Sequence, residues 1–132
     1  MRPTILLLLV GMTLSPVARA DDCSNASDQA TLSECAGKAL QKSDAELNAT
    51  YDQIRQRLKN APETLKLLVG AQKAWIAFRD AECDFSTSPS AGGTIHPMIY
   101  TICADRMTRR RVDDLKAYLR CQTNLDCPVP PG

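Results

Sequence analysis

Six cysteines, at positions 23, 35, 83, 103, 121 and 127, constrain the fold more than any other feature of this chain. All follow a leader-like opening with a basic Met1-Arg2, an apolar stretch around Ile5 to Val10, and Ala18-Arg19-Ala20 before Asp21. This predicts a secretory signal peptide over residues 1–20, since the apolar stretch is short for a bilayer span and the small residues suit a signal peptidase. Asp22, directly before Cys23, argues against a lipoprotein anchor, so no stable membrane insertion is expected after cleavage. An even cysteine count in a small exported domain reads as three disulfides in an oxidising compartment, periplasmic or extracellular. Metal binding would need thiolates clustered at short spacing, often with histidines. There is no CxxC, and His96 is the sole histidine.

Fifteen pairings of six cysteines exist in principle. Local closure costs the least chain entropy and favours Cys23 with Cys35, Cys83 with Cys103, and Cys121 with Cys127. Counted from Asp21 the chain has about 112 residues, one domain's length with a modest core that gains from cross-links. The expected division is a helical domain over 21–120 and a Cys/Pro-rich tail over 121–132. Its end, Pro128-Val129-Pro130-Pro131-Gly132, has the composition of a disordered segment. Without Arg2 and Arg19, 14 basic and 15 acidic side chains remain, so nothing global calls for nucleic acid or an anionic membrane.

The periodicity is helical throughout. Leu40, Leu47 and Ile54 form one row at seven-residue spacing, and Asp44, Tyr51 and Leu58 the row beside it. This is the stripe of a helix packed on other helices, capped by Ser43 or Asp44 or starting earlier at Leu40, and ended by Asn60-Ala61-Pro62. Asp44 is the polar member of that stripe, and if buried it requires a cation or several donors. A second helix starts at Pro62 or Glu63 and runs to about Cys83, with Leu68, Gln72, Trp75 and Arg79 on one face and Leu65, Ala71 and Phe78 flanking it. Residues Ser86 to Pro97 read as an irregular loop. A third helix runs from about Met98 to Arg120 with Ile102, Val112, Leu115 and Leu119 on its apolar side. Asp28 to Lys38 reads as a short separate helix. The expected fold is all-α: a small disulfide-bonded bundle of three principal helices and a short N-terminal helix.

Catalytic machinery is not visible. GxSxG, HExxH and phosphate-cradling glycine loops are absent, and Asp80, Glu82 and Asp84 read as solvated acids rather than a glycosidase pair. The chain is therefore read as a non-enzyme without a cofactor. Arg106, Arg109, Arg110 and Arg111 form a basic run that cannot all face one way, because helical neighbours lie about 100 degrees apart. At least one is expected to turn inward to a carboxylate such as Asp44, with the rest solvated.

Several segments together carry a family resemblance. They are "CSNASDQATLSEC" from Cys23, "SDAELNATYDQI" from Ser43, "AQKAWIAFRDAEC" from Ala71, "GGTIHPMIYTIC" from Gly92 and "TRRRVDDL" from Thr108. In order and spacing the chain resembles the LprI family of bacterial exported proteins, whose name-giving member is a lysozyme inhibitor. The specific combination is Asp44, Leu47, Asn48 and Tyr51 with Gln72, Trp75, Arg79 and Cys83, and Arg111 joins the structural set. The resemblance implies a helical, disulfide-bonded domain acting in the envelope or outside the cell by binding a protein. It supports the first two local pairings, while Cys121 and Cys127 lie beyond the matched region.

Two surfaces are expected to meet such a partner. The segment between Cys83 and Cys103 can plug a cleft, offering Ser86, Thr87, Ser88, Thr94 and His96 as hydrogen-bonding groups. The exposed Arg109 and Arg110 are the competing surface. A loop that only joins two helices is the alternative to the first, and an adaptor or immunity protein with no lysozyme target is the alternative to an inhibitor.

Overall fold

The computed structural model describes residues 22–121 and 127–132, so the predicted signal peptide over residues 1–20 lies outside the described residues. A 3-10 turn, Asp22–Ser24, precedes three helices: α1 (Gln29–Arg57), α2 (Pro62–Thr87) and α3 (His96–Arg120). A second 3-10 turn, Ser88–Ser90, joins α2 to α3. No strand occurs among the described residues. The helices run up, down and up, and α3 lies along α1 and against α2.

Helix α1 corrects the expectation of a separate short helix. Asp28 caps it, its carboxylate accepting from the Thr31 backbone N–H at 2.9 Å, and from there it continues unbroken for 29 residues. Nothing in the sequence interrupts it. No proline intervenes, and the environment of Gly37 is open. The seven-residue stripe begins only at Leu40 because residues 29–38 bury little, Ala36 being the one buried residue among them. There the Cys23–Cys35 disulfide, rather than a packed apolar row, ties the chain to the helix.

The main core joins Leu47, Ile54 and Leu58 of α1 to Val112 and Leu115 of α3, with Leu65, Leu68 and Trp75 of α2 packed against it. This is the stripe expected from the sequence. Three expected apolar positions instead face solvent: Ala71 is exposed, Phe78 is 56% and Ile102 51% exposed. A second, smaller cluster surrounds the buried Cys83–Cys103 disulfide, with Ala104, Leu40, Tyr100 and Met107. The third local pairing, Cys121 with Cys127, is also formed. The tail beyond it departs from the expected disorder, since Val129 is 2% exposed within the main core. Arg57 bonds both ends of this closure, donating to Leu119 O at 2.9 Å and Pro130 O at 3.4 Å.

Candidate functional site

The residues singled out by the sequence separate into a polar seam inside the bundle, a turn at one end, and a charged flank on α3. The seam is centred on Trp75. Arg79 lies over its ring at 5.4 Å from the centroid and Arg111 at 5.9 Å, so the indole meets two guanidinium groups as well as the core. Arg111 Nε donates to buried Gln72 Oε1 at 3.1 Å. Arg79 reaches Asp80 at 2.9 Å, Thr108 Oγ1 at 3.4 Å and Asp44 at 3.6 Å. One side chain from α2 thereby contacts all three helices.

Two details differ from expectation. An arginine of the basic run does turn inward, but Arg111 meets Gln72 and Trp75, and the cation facing Asp44 is Arg79. The inward position of α3 is fixed by the apolar spacing of Val112 and Leu115, which carries Arg111 toward α2 rather than α1. Trp75 itself is partly buried and packs against the main core. Asp44 and Asn48 open onto a groove of about 440 Å³ between α1 and α2, lined also by Tyr51, Gln72, Lys73, Ile76 and Arg79. Asn48 is exposed there. The seam's polar groups are mutually satisfied, and among the described residues no buried side-chain nitrogen or oxygen lacks a partner.

The turn between α2 and α3 is much shorter than the irregular loop expected. Ser86 and Thr87 complete α2, Ser88–Ser90 form a 3-10 turn, and His96 and Pro97 open α3. Only residues 91–95 lie outside a helix, and Gly92 adopts φ +79, the left-handed conformation that favours glycine. Backbone bonds Ala91 N–H to Ser88 O, Gly93 N–H to Ser90 O and His96 N–H to Gly93 O close the turn in steps of three. Gln29 at the start of α1 donates to Thr94 O at 2.8 Å, an anchor that nothing in the sequence signalled.

Ser90 fixes the tautomer of His96. Its hydroxyl donates to Thr87 O at 2.8 Å, so toward His96 Nδ1, 3.0 Å away, it can only accept. Nδ1 therefore carries a proton and donates it to Ser90. In the neutral ring Nε2 is an acceptor, and it offers a hydrogen bond to a carboxylate only as imidazolium. Ser86 Oγ lies 3.5 Å from Cys103 Sγ, while Ser88 and Thr94 are exposed. Tyr100, one turn into α3, has its phenol pKa raised by burial and by Asp80 and Asp84 nearby, so it stays a neutral hydroxyl.

The charged flank is distinct. Arg109 lies about 20 Å along α3 from His96, at 1.5 Å per residue, so turn and arginines form no single patch. Arg109 is 65% exposed yet pairs at 3.1 Å with Asp105, whose side chain is only 10% exposed. Arg110 is exposed. Among the described residues no three His, Cys, Asp or Glu side chains are grouped to hold a metal ion, and no helix is long and apolar enough to cross a membrane.

Comparison with known proteins adds the lineage. The family model described as Lysozyme inhibitor LprI matches residues 20–115. The chain belongs to the LprI family. An uncharacterized protein of Rhizobium meliloti (strain 1021) is 31% identical over 114 residues, covering 78% of this chain and 82% of the relative. No solved structure matches this chain. The match takes in all three LprI helices up to Leu115, including the Trp75 seam and the turn, and stops before the Cys121–Cys127 closure.

Proposed function

We propose that this LprI-family protein is an exported inhibitor that binds a lysozyme or a related peptidoglycan-cleaving enzyme and blocks its cleft. The observation that carries this reading is the match to the lysozyme-inhibitor family over residues 20–115. Its three disulfides, one at the start of α1, one joining α2 to α3 and one just after α3, suit a protein exported to an oxidising compartment.

The binding surface we favour is the turn over residues 88–96. Lysozymes cut glycan with paired carboxylates in an open cleft, which a narrow, rigid protrusion bearing donors can fill. The buried Cys83–Cys103 disulfide, the Gln29 anchor and the Ser90–His96 bond all support this use of the turn, because little conformational freedom remains to be lost on binding. Ser88 and Thr94 supply exposed hydroxyls, and His96 supplies an imidazole held by Ser90. Arg110 on the flank is the competing contact.

The test is a titration of the oxidised, exported protein into lysozymes of several structural types, with cell-wall lysis and binding measured together. Inhibition of at least one type is expected. Ser88→Ala combined with His96→Ala should weaken that inhibition with the helical circular dichroism unchanged, and undiminished inhibition by the folded variant would move the contact elsewhere. Arg110→Glu tests the flank more cleanly than Arg109→Glu, which also strips a nearly buried Asp105 of its cation. Failure to bind any lysozyme would leave an envelope interaction module, such as an adaptor or immunity protein, as the better reading.

A further inference from the structure

Helix α2 carries an apolar stripe that the bundle does not use. Leu67, Ala71, Ala74, Phe78, Ala81 and Phe85 follow one another at alternating spacings of four and three, the period of a coiled-coil seam. All six face outward: Leu67 is 74%, Phe78 56% and Phe85 77% exposed, and the three alanines are exposed with them. The stripe is about 27 Å long, at 1.5 Å per residue. Scattered exposed apolar residues are ordinary, but a continuous row in heptad register is the surface of a helix awaiting another helix.

We infer that α2 pairs antiparallel with α2 of a second copy of this chain, making an isologous dimer. Two observations select that occupant. The first is shape. Setting Ala74 opposite Phe78 of the second copy also sets Ala71 opposite Ala81 and Leu67 opposite Phe85, so each phenylalanine meets a small residue or a hollow. In that register Phe85 of the second copy points between Thr64, Leu67, Leu68 and Ala71. Those four residues form the α2 wall of an existing hollow of about 220 Å³, closed on its other side by Tyr118 and Val129. The most exposed knob of the stripe thus faces the one end of the stripe that has a hole.

The second is charge. Lys66 and Lys73 lie on one flank of the first half of the stripe, and Asp84 lies on the same flank of the second half, with Asp80 behind it in its pair with Arg79. Antiparallel pairing lays Lys66 and Lys73 of each copy along the acidic half of the other and opposes the two helix dipoles. Parallel pairing lays like charge on like. The same sequence read in either direction therefore complements itself only head to tail. The dimer leaves both 88–96 turns at opposite ends of the paired helices, so it is independent of the lysozyme reading.

Sedimentation equilibrium on the oxidised, exported protein tests this. A concentration-dependent dimer is expected. Ala74→Arg, which places a charge against Phe78 of the second copy, should raise the dimer Kd at least about a hundredfold while helical circular dichroism is unchanged. Lys66→Glu and Asp84→Lys, both surface changes that spare the fold, should each weaken the dimer, and their combination should restore it. A chain that stays monomeric up to about 1 mM overturns the proposal. So does a dimer that survives Ala74→Arg, or a doubly exchanged variant no tighter than the single ones.

Discussion

At the scale of single residues, the chemistry of the seam depends on Arg79 more than on the acid it faces. Asp44 is 3.6 Å away with a side chain 43% exposed, which places the pair among ion pairs weakened by solvent. A double-mutant cycle of Asp44→Ala and Arg79→Ala should therefore give a coupling below about 1 kcal/mol, whereas Arg79→Ala alone should cost more, because Thr108, Asp80 and the Trp75 ring lose their partner together. Trp75→Ala should lower stability by about 2–3 kcal/mol, less than the 3–5 usual for a fully enclosed aromatic, since the ring is only partly buried against the core and also meets two guanidinium groups. Urea unfolding followed by circular dichroism measures both; a loss above the usual range for Trp75 would mean the ring is core in full. The sequence made the membership of this seam legible, because Leu68, Gln72, Trp75 and Arg79 share a helical face. It did not make the pairings legible. Which arginine meets Asp44 depends on how α3 rotates about its own axis, and that rotation is set by contacts of Val112 and Leu115 with another helix.

At the scale of elements, α1 is the instructive case. Periodicity located its packed half and missed that its N-terminal third belongs to the same helix, because that third buries only the small Ala36 and so carries no large apolar stripe to read. The cap at Asp28 and the absence of any breaker were the signals available. Continuity through Gly37 is testable: the site is open and helical, so Gly37→Ala should raise stability by up to about 1 kcal/mol, and a null or destabilising result in thermal unfolding would argue for a joint there. The end of the helix gives a pH dependence. The carboxyl pKa of Asp28 is lowered by its hydrogen bonds from the Thr31 side chain and backbone, and that of Glu46 by its bond to Lys116 and the charge on it. A carboxyl lowered on folding contributes stability that is complete above its unfolded value and lost as pH falls through the folded one. These contributions should accordingly be intact at neutral pH and decline below the ordinary values of 3.8 and 4.5. Asp28→Ala should lower the melting temperature at pH 7, and the gap from the unmodified protein should narrow toward pH 3.

At the scale of the whole molecule, the bundle is closed at both ends by covalent links whose positions followed from loop entropy, while what those links hold down did not. Cys83–Cys103 spans 20 residues and both sulfurs are buried, so replacing the pair with alanine should cost about 3 kcal/mol and, on the reading above, loosen the turn that meets a target. The other closure is less obvious. A segment of three prolines, a valine and a glycine has no periodicity and no charge pattern, so composition alone reads it as loose. Yet Cys121–Cys127 returns the chain toward α1 and α2, where Val129 completes a core that a three-helix bundle of this size leaves open beside Ile54 and Leu58. Arg57 then bonds Leu119 O and Pro130 O, joining the last turn of α3 to the returning chain. Ordering five residues is entropically costly, but proline starts with little freedom, which is why this composition suits a strap as well as a free end. Removing residues 128–132 should therefore lower stability by about 1–2 kcal/mol, the burial of one valine less the entropy recovered. Val129→Ser should reproduce most of that loss, since it keeps the chain length and the disulfide. If both variants unfold at the same urea concentration as the full protein, the tail does not pack in solution; if only the deletion is destabilising, the backbone contacts of Arg57 rather than the valine hold it.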